Sequence, residues 1–381
     1  MSKLIYLYTT GGAPRLSMSD TPPLPDLSRR TLNRYAVNAQ SDGMVNMLVR
    51  FVKHNPNYDE LLIFIDSTVQ TGHINISPCA SLYVIPNINQ VGEYLDPGDV
   101  LIVRGGFKSW IPLLTHIQDL RQNWILYYRA NTPHGAWSFW DVVLNDLIDA
   151  PKVIGNRLHY NFSKPVNEDI FGLIDAPGLL QRHYDFMIGA SHIHRKKGQY
   201  QAVQALQKYY EIYGKKPKCV MPGGFMRCST NDTIRGIMAL GDVDITMPGG
   251  MDRRRLALLM NQCKIFVHAG VGGQNDRSIL EAVACGMFPI IANPDRTAPF
   301  MSNVGRIWNF KERNYLDLTE IMHTVLESDL WEFPVQMSQM YQNVNGLDQV
   351  ALPKLEDLLN FTKENPTPDR KEIIRRFIQD E

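Results

Sequence analysis

An excess of charge of either sign is missing from this chain: over 381 residues, Lys and Arg total 39 and Asp and Glu total 39. Bulk electrostatics therefore gives no pull toward nucleic acid or an acidic membrane, and only local patches remain to be weighed. Cysteine is scarce too. The five present (Cys79, Cys219, Cys228, Cys263, Cys285) are dispersed, without CxxC or Cys/His ligand spacing. That pattern argues against structural zinc and a disulfide framework, and reads as reduced, buried thiols of a cytoplasmic protein. No apolar stretch reaches the length of a membrane span. The apolar run after Met1 is too short for a signal peptide. Internal repeats and low-complexity segments are absent, as is an acidic DxD-type pair at a strand end, so no tightly bound metal is expected.

What is present suits a globular α/β protein. Hydrophobic residues make up 44% and charged residues 20% of the chain. The length exceeds what one core usually supports, which favours two domains. Short, nearly continuous apolar runs mark buried parallel strands at Leu4–Tyr8, Leu61–Asp66, Leu82–Ile85, Val100–Val103 and Ile125–Tyr128. Helical patterns such as Gly43–His54 and Ser109–Arg121 separate them. Over Pro151–Pro177 the pattern becomes irregular and rich in Pro, Asn and Gly, which places an interdomain linker there, ending near Leu180. Strands then recur at Tyr184–Ile188, Cys219–Met221, Val243–Thr246, Lys264–His268, Phe288–Ala292 and Arg306–Asn309. Between them stand helices over Gly198–Tyr213, Asp232–Leu240, Arg253–Cys263 and Arg277–Cys285. This alternation predicts two Rossmann-like domains, residues 1–180 and 181–350, with a helical tail over 351–381 packed on the outside of a domain. Two open parallel sheets so joined would face each other across a cleft lined by the loops at their carboxyl ends.

The most informative segment runs from Lys264 to Gly286. A buried strand leads into Ala269-Gly270-Val271-Gly272-Gly273-Gln274-Asn275-Asp276-Arg277-Ser278, where Asn275 or Asp276 can cap the helix that follows. Small residues let the backbone approach a ligand, and a helix N-terminus offers unpaired N–H groups with partial positive charge, which together suit a diphosphate. Glu281 lies within the apolar patch Leu280-Glu281-Ala282-Val283-Ala284-Cys285-Gly286. A carboxylate there wants a partner: either a ribose diol or, more blandly, a nearby Arg.

The stretch Leu280–Ala292 resembles the nucleotide-sugar signature of retaining GT-B glycosyltransferases, the group similar to glycogen synthase and sucrose synthase. The resemblance implies that Glu281 holds the ribose. It also implies a second acid eight residues earlier, where this chain has Gly273, with Asp276 the nearest carboxylate. A second matching segment spans Tyr184–Gln199, at the first strand-to-helix turn of the rear domain. The family places an Arg and a Lys-Gly here, both cations neutralising the leaving diphosphate. Lys197-Gly198 matches. His192 stands at the Arg position, with Arg195 and Lys196 as substitutes. Departure of a nucleoside diphosphate needs cationic or N–H stabilisation of the developing charge. Taken alone, such a basic cluster reads as a solvated loop. Between these segments, Asp252 caps a helix and Arg253-Arg254-Arg255 reads as a solvated face.

In the front domain the resemblance is looser. Gly11-Gly12 follows the first strand, where the family keeps a Gly pair near the transferring sugar. His134, with Arg129 and Asn131 as alternatives, follows the Tyr127-Tyr128 strand, where the family often sets a His against the donor sugar. Arg104-Gly105-Gly106 is a further loop toward an acceptor. The resemblance thus implies a UDP- or GDP-type nucleotide-sugar as co-substrate, no tightly bound cofactor, and transfer to a hydroxyl of a glycan or small molecule. Two alternatives stand beside it. One is a phage-type enzyme acting on modified DNA bases, a branch that also lacks the first acid. The other is a non-catalytic nucleotide-sugar binder, suggested by Gly273.

Overall fold

The structure, a computed structural model, describes residues 2–8, 25–66, 71–104, 110–120, 122–128, 140–145, 151–154, 157–162, 165–174, 182–189, 192–193, 197–225, 236, 243–270, 277–292, 306–308 and 314–364. By their contacts the residues divide into two units, Met1–Pro165 together with Ala351–Glu381, and Val166–Val350.

In unit 1 the apolar runs become strands. The elements in order are β1 (Ser2–Leu7), α1 (Pro25–Gln40), α2 (Gly43–His54), β2 (Tyr58–Asp66), β3 (Gly72–Ser77), β4 (Ala80–Ile85), β5 (Val100–Arg104), α3 (Ile111–Leu120), β6 (Trp124–Tyr128), β7 (Val142–Asn145), β8 (Lys152–Ile154) and β9 (Arg157–Asn161). They form one sheet in the order β3-β4-β2-β1-β5-β6-β7-β9-β8. Pairing from β4 through β9 is parallel; β3 and β8 close the edges antiparallel to β4 and β9. Both faces are covered, which is why β1, β5 and β6 read as unbroken apolar runs.

Unit 2 follows with β10 (Tyr184–Ile188), β11 (His192–Ile193), α4 (Gln199–Tyr213), β12 (Cys219–Pro222), β13 (Gly224–Phe225), β14 (Ile245–Gly249), α5 (Arg253–Asn261), β15 (Cys263–His268), α6 (Arg277–Ala284), β16 (Phe288–Ala292), β17 (Arg306–Trp308), α7 (Tyr315–Glu327) and α8 (Pro334–Asn345). Its sheet, β14-β12-β10-β15-β16-β17, is parallel throughout. Numbered within the unit this is 3-2-1-4-5-6, the Rossmann order; unit 1, stripped of its antiparallel edges, starts with the same 3-2-1-4 arrangement.

The structure differs from the sequence expectation at the junction. Residues assigned to an irregular linker include the β8–β9 hairpin of the first sheet, and the contact boundary falls at Pro165–Val166 rather than near Leu180. The reason is composition. β8 is exposed throughout, and β9 carries Arg157, His159 and Asn161, so neither makes an apolar run. Buried His159 contacts Asn145 at 3.0 Å through Nδ1, and this polar pair tethers β9 to β7. Likewise the edge strand expected at Val243–Thr246 forms at Ile245–Gly249. The helix expected over Asp232–Leu240 lies almost wholly outside the described residues.

The tail returns to unit 1 through α9 (Leu352–Glu364). Leu355, Leu358 and Leu359 are buried along one stripe. Phe361 meets Trp124 edge-on at 5.7 Å, and Tyr58 donates to the Leu359 carbonyl at 3.4 Å.

Candidate functional site

A doubly wound sheet binds ligands where its strand order reverses, just past the carboxyl ends of the strands. In unit 2 that point lies between β10 and β15. Tyr184 pairs with Cys263 and Ile188 with Val267, so the two strands end level, and the Gly189 N–H donates to the Val267 carbonyl at 3.2 Å. The loops leaving this edge are the two segments that the sequence singles out.

They touch at Gly198. This residue caps α4 at its N-terminus in the left-handed region, with φ +71. A Cβ placed on it would lie 1.7 Å from the Ala269 carbonyl oxygen, so only glycine lets the Lys197–Gly198 turn seat against Ala269–Gly270. A glycine cap brings no side chain to satisfy the first-turn N–H groups of α4. Half-buried Lys197 precedes them, so an ammonium group and a helix N-terminus share one edge of the sheet. The arrangement can hold an anion.

From Gly270 the chain leads to α6, which opens with half-buried Arg277 and Ser278 and carries Glu281 on its buried face. The far end of α6 is fixed by a Schellman motif: Gly286 N–H bonds the Val283 carbonyl at 2.8 Å, and Met287 N–H bonds the Ala282 carbonyl at 3.0 Å. Gly286 holds φ +76, with Arg182 packed against it and donating to the Cys285 carbonyl at 2.9 Å and to the Cys263 carbonyl. Burial pushes the Arg182 guanidinium below its usual value, and it pushes the Cys285 thiol up to about 12. Cys219 and Cys263 are raised for the same reason. These are packing thiols, poor nucleophiles at neutral pH. The four described cysteines are free.

Glu281 is 5% exposed and has a protein partner. Arg253 Nη1 donates to Glu281 Oε1 at 2.7 Å. The bland reading of this acid is thus present in the structure, alongside whatever else the carboxylate holds. It also corrects the reading of the arginine run: Arg254 and Arg255 are exposed, but Arg253, the first residue of α5, is turned inward. Its guanidinium sits 5.8 Å from the ring centroid of buried Phe171. Sequence reasoning missed this residue. Its only local signal is its place directly after the cap Asp252, whose carboxylate is bonded to the Arg255 N–H at 2.9 Å.

The remaining predicted positions divide plainly. His192 contributes backbone to β11, which pairs with Gly224–Phe225 beyond β12. Arg195, Gly272, Gly273, Asn275 and Asp276 lie outside the described residues, as do Gly11, Gly12, Arg129 and His134 of unit 1. At the corresponding edge of unit 1, Arg104 ends β5 and pairs with Asp42 at 2.6 Å; Asp42 in turn caps α2 by accepting the Met44 N–H at 2.9 Å. Arg104 lies 5.0 Å from the Tyr8 ring centroid and 6.0 Å from that of Tyr128. The arginine read as part of a loop toward an acceptor is thus the last residue of β5, ion-paired to the N-cap of α2. Tyr127 stacks on Trp140 at 4.4 Å, which anchors the strand that precedes Arg129.

No family model matches this chain, and no curated protein matches it. Solved structures do. Sucrose-phosphate synthase from Thermosynechococcus elongatus superposes with a TM-score of 0.65 at 13% identity, over 96% of this chain and 100% of that one. The chain has the GT-B fold. HepE from Anabaena, in complex with UDP and glucose, shares that fold at TM-score 0.60 and 13% identity, over 94% of this chain and 100% of its own. A glycosyltransferase from Rickettsia africae gives 0.63 at 14%, over 96% and 99%. GT-B architecture thus accounts for nearly the whole chain. Among the described residues, no helix is long and apolar enough to cross a membrane.

Proposed function

We propose that this protein is a glycosyltransferase that moves a sugar, with retention of anomeric configuration, from a UDP- or GDP-type nucleotide-sugar to a hydroxyl of a glycan or small molecule in the cytoplasm. The observation that carries the reading is the contact between Gly198 and Ala269, which joins the Lys197 turn to the glycine-rich loop at the switch point of the second sheet. The GT-B neighbours add weight: one of them is a complex with UDP and glucose. Among the described residues, the free thiols of half-buried Cys79 and buried Cys219, Cys263 and Cys285 accord with a reducing compartment.

In this reading the diphosphate lies across the N-termini of α4 and α6. Lys197, aided by His192 or Arg195 and by N–H groups after Gly272, takes up charge as the bond from the anomeric carbon to the phosphate oxygen breaks. The acceptor hydroxyl attacks from the same face, and its proton passes to the departing phosphate oxygen, so no protein nucleophile is required. Glu281 grips the ribose. Gly11, Gly12, Arg129 and His134 are the residues of unit 1 proposed to face the transferring sugar, and exclusion of water limits donor hydrolysis.

The test is a thermal-shift screen of UDP, GDP and ADP and their glucose conjugates, followed by measurement of nucleotide release from each donor that binds. Stabilisation with release supports a transferase. Binding across donors without any turnover supports the non-catalytic binder, and no stabilisation by any of them removes the nucleotide site.

A further inference from the structure

Arg253 has a position that a surface arginine does not need. It is the first residue of α5, half-buried, with its guanidinium near the Phe171 ring on one side and on Glu281 Oε1 on the other. The side chains of Arg253 and Glu281 are 34% and 7% exposed, so the acid is nearly enclosed while the arginine keeps one flank to solvent. The terminal torsion of a glutamate side chain has only a broad, roughly twofold preference of its own. A donor on one oxygen, itself packed against an aromatic ring, fixes the plane of the carboxylate. One such hydrogen bond uses one of about four acceptor sites of the group, so engagement by Arg253 and acceptance from a diol are compatible.

We infer that Arg253 is a positioning residue: it orients the Glu281 carboxylate toward the ribose hydroxyls and thereby sets the preference for ribonucleotide over deoxyribonucleotide donors. This inference rests on the proposed ribose role of Glu281. The alternative is a competing latch, in which Arg253 must leave before the nucleotide is held. The two differ in sign. A positioning arginine strengthens ribose recognition, whereas a latch weakens it.

The experiment is calorimetric titration of the full chain with UDP and 2′-deoxy-UDP (or GDP and 2′-deoxy-GDP if the guanine nucleotide binds), for wild type, Arg253→Lys, Arg253→Met and Glu281→Gln. Wild type should favour the ribonucleotide by about tenfold, the scale of one charge-assisted hydrogen bond. Arg253→Met should lose most of that preference while its affinity for the deoxynucleotide stays within about twofold, and Arg253→Lys should restore part of it. Folding is read in parallel from Tm, because removing Arg253 leaves Glu281 buried beside an aliphatic chain; the lysine variant keeps the charge and decides the matter if the methionine variant does not fold. Equal preference in wild type and both Arg253 variants, or a stronger preference without the arginine, overturns the inference and leaves the ribose role intact, provided Glu281→Gln abolishes the preference. If Glu281→Gln leaves the preference unchanged, the ribose role itself fails.

Discussion

Glu281 and Lys197 carry the chemistry proposed for this protein, and they are held in different ways. Glu281 is enclosed and paired with Arg253; Lys197 is half-buried beside a glycine cap. Their substitutions should therefore fail differently. Glu281→Ala should weaken nucleoside diphosphate binding by roughly 1–3 kcal/mol, the scale of losing a buried hydrogen-bonded charge. Unchanged affinity in calorimetry would contradict the ribose role. Lys197→Ala should cost about 10²–10³ in turnover, comparable to removing one preorganised donor to developing charge, with little change in Tm. A variant that turns over at the wild-type rate removes Lys197 from the site. The roles proposed for the acid and the lysine come from local patterns, a polar residue in an apolar patch and a cation before a glycine at a strand-to-helix turn; the structure adds that Glu281 is buried and that Gly198 caps α4. No such pattern marks Arg253. Its partner is 28 positions away, and nothing within the run Arg253-Arg254-Arg255 says which one faces inward.

At the scale of elements, the start of α4 and the end of β15 are locked together where Gly198 meets the Ala269 carbonyl. Gly198→Ala should be costly: a left-handed φ costs an L-residue about 1–2 kcal/mol, and the added carbon overlaps backbone that must shift. A lower Tm together with loss of nucleoside diphosphate binding is expected; a variant with wild-type Tm and affinity would show that the two elements are not coupled. Strands buried on both faces, such as β5, β6 and β16, were readable as apolar runs, and α2 and α4 as periodic helices with clear ends. β3 and β8 escaped because edge strands are exposed and mixed in composition, so their strand character comes from the neighbour they pair with; β9, buried between β7 and β8, escaped because Arg157, His159 and Asn161 break its apolar run.

At the scale of the whole molecule, sequence order and domain membership part company. The chain leaves unit 1 at Pro165 and returns to it at Ala351, which no local pattern announces, although the apolar stripe of α9 shows that the tail must pack somewhere. Burial of Leu355, Leu358 and Leu359 contributes roughly 5–9 kcal/mol at the usual value for a leucine side chain, comparable to the net stability of a domain. A chain ending at Ala351 should therefore lose cooperative unfolding of unit 1, seen as a missing calorimetric transition. Retention of that transition at the wild-type temperature would show that α9 is dispensable. The GT-B architecture was legible from strand-helix alternation and one signature segment, while donor and acceptor identity reside in side chains that an alternation pattern does not specify. The measurement closest to the central claim is a crystal structure of the protein soaked with UDP or GDP, whichever stabilises it. The diphosphate should lie between the Lys197–Gly198 turn and the N-terminus of α6, within about 3 Å of the lysine ammonium, with the ribose on Glu281. A nucleotide bound elsewhere, or at that edge with neither residue in contact, would contradict the account.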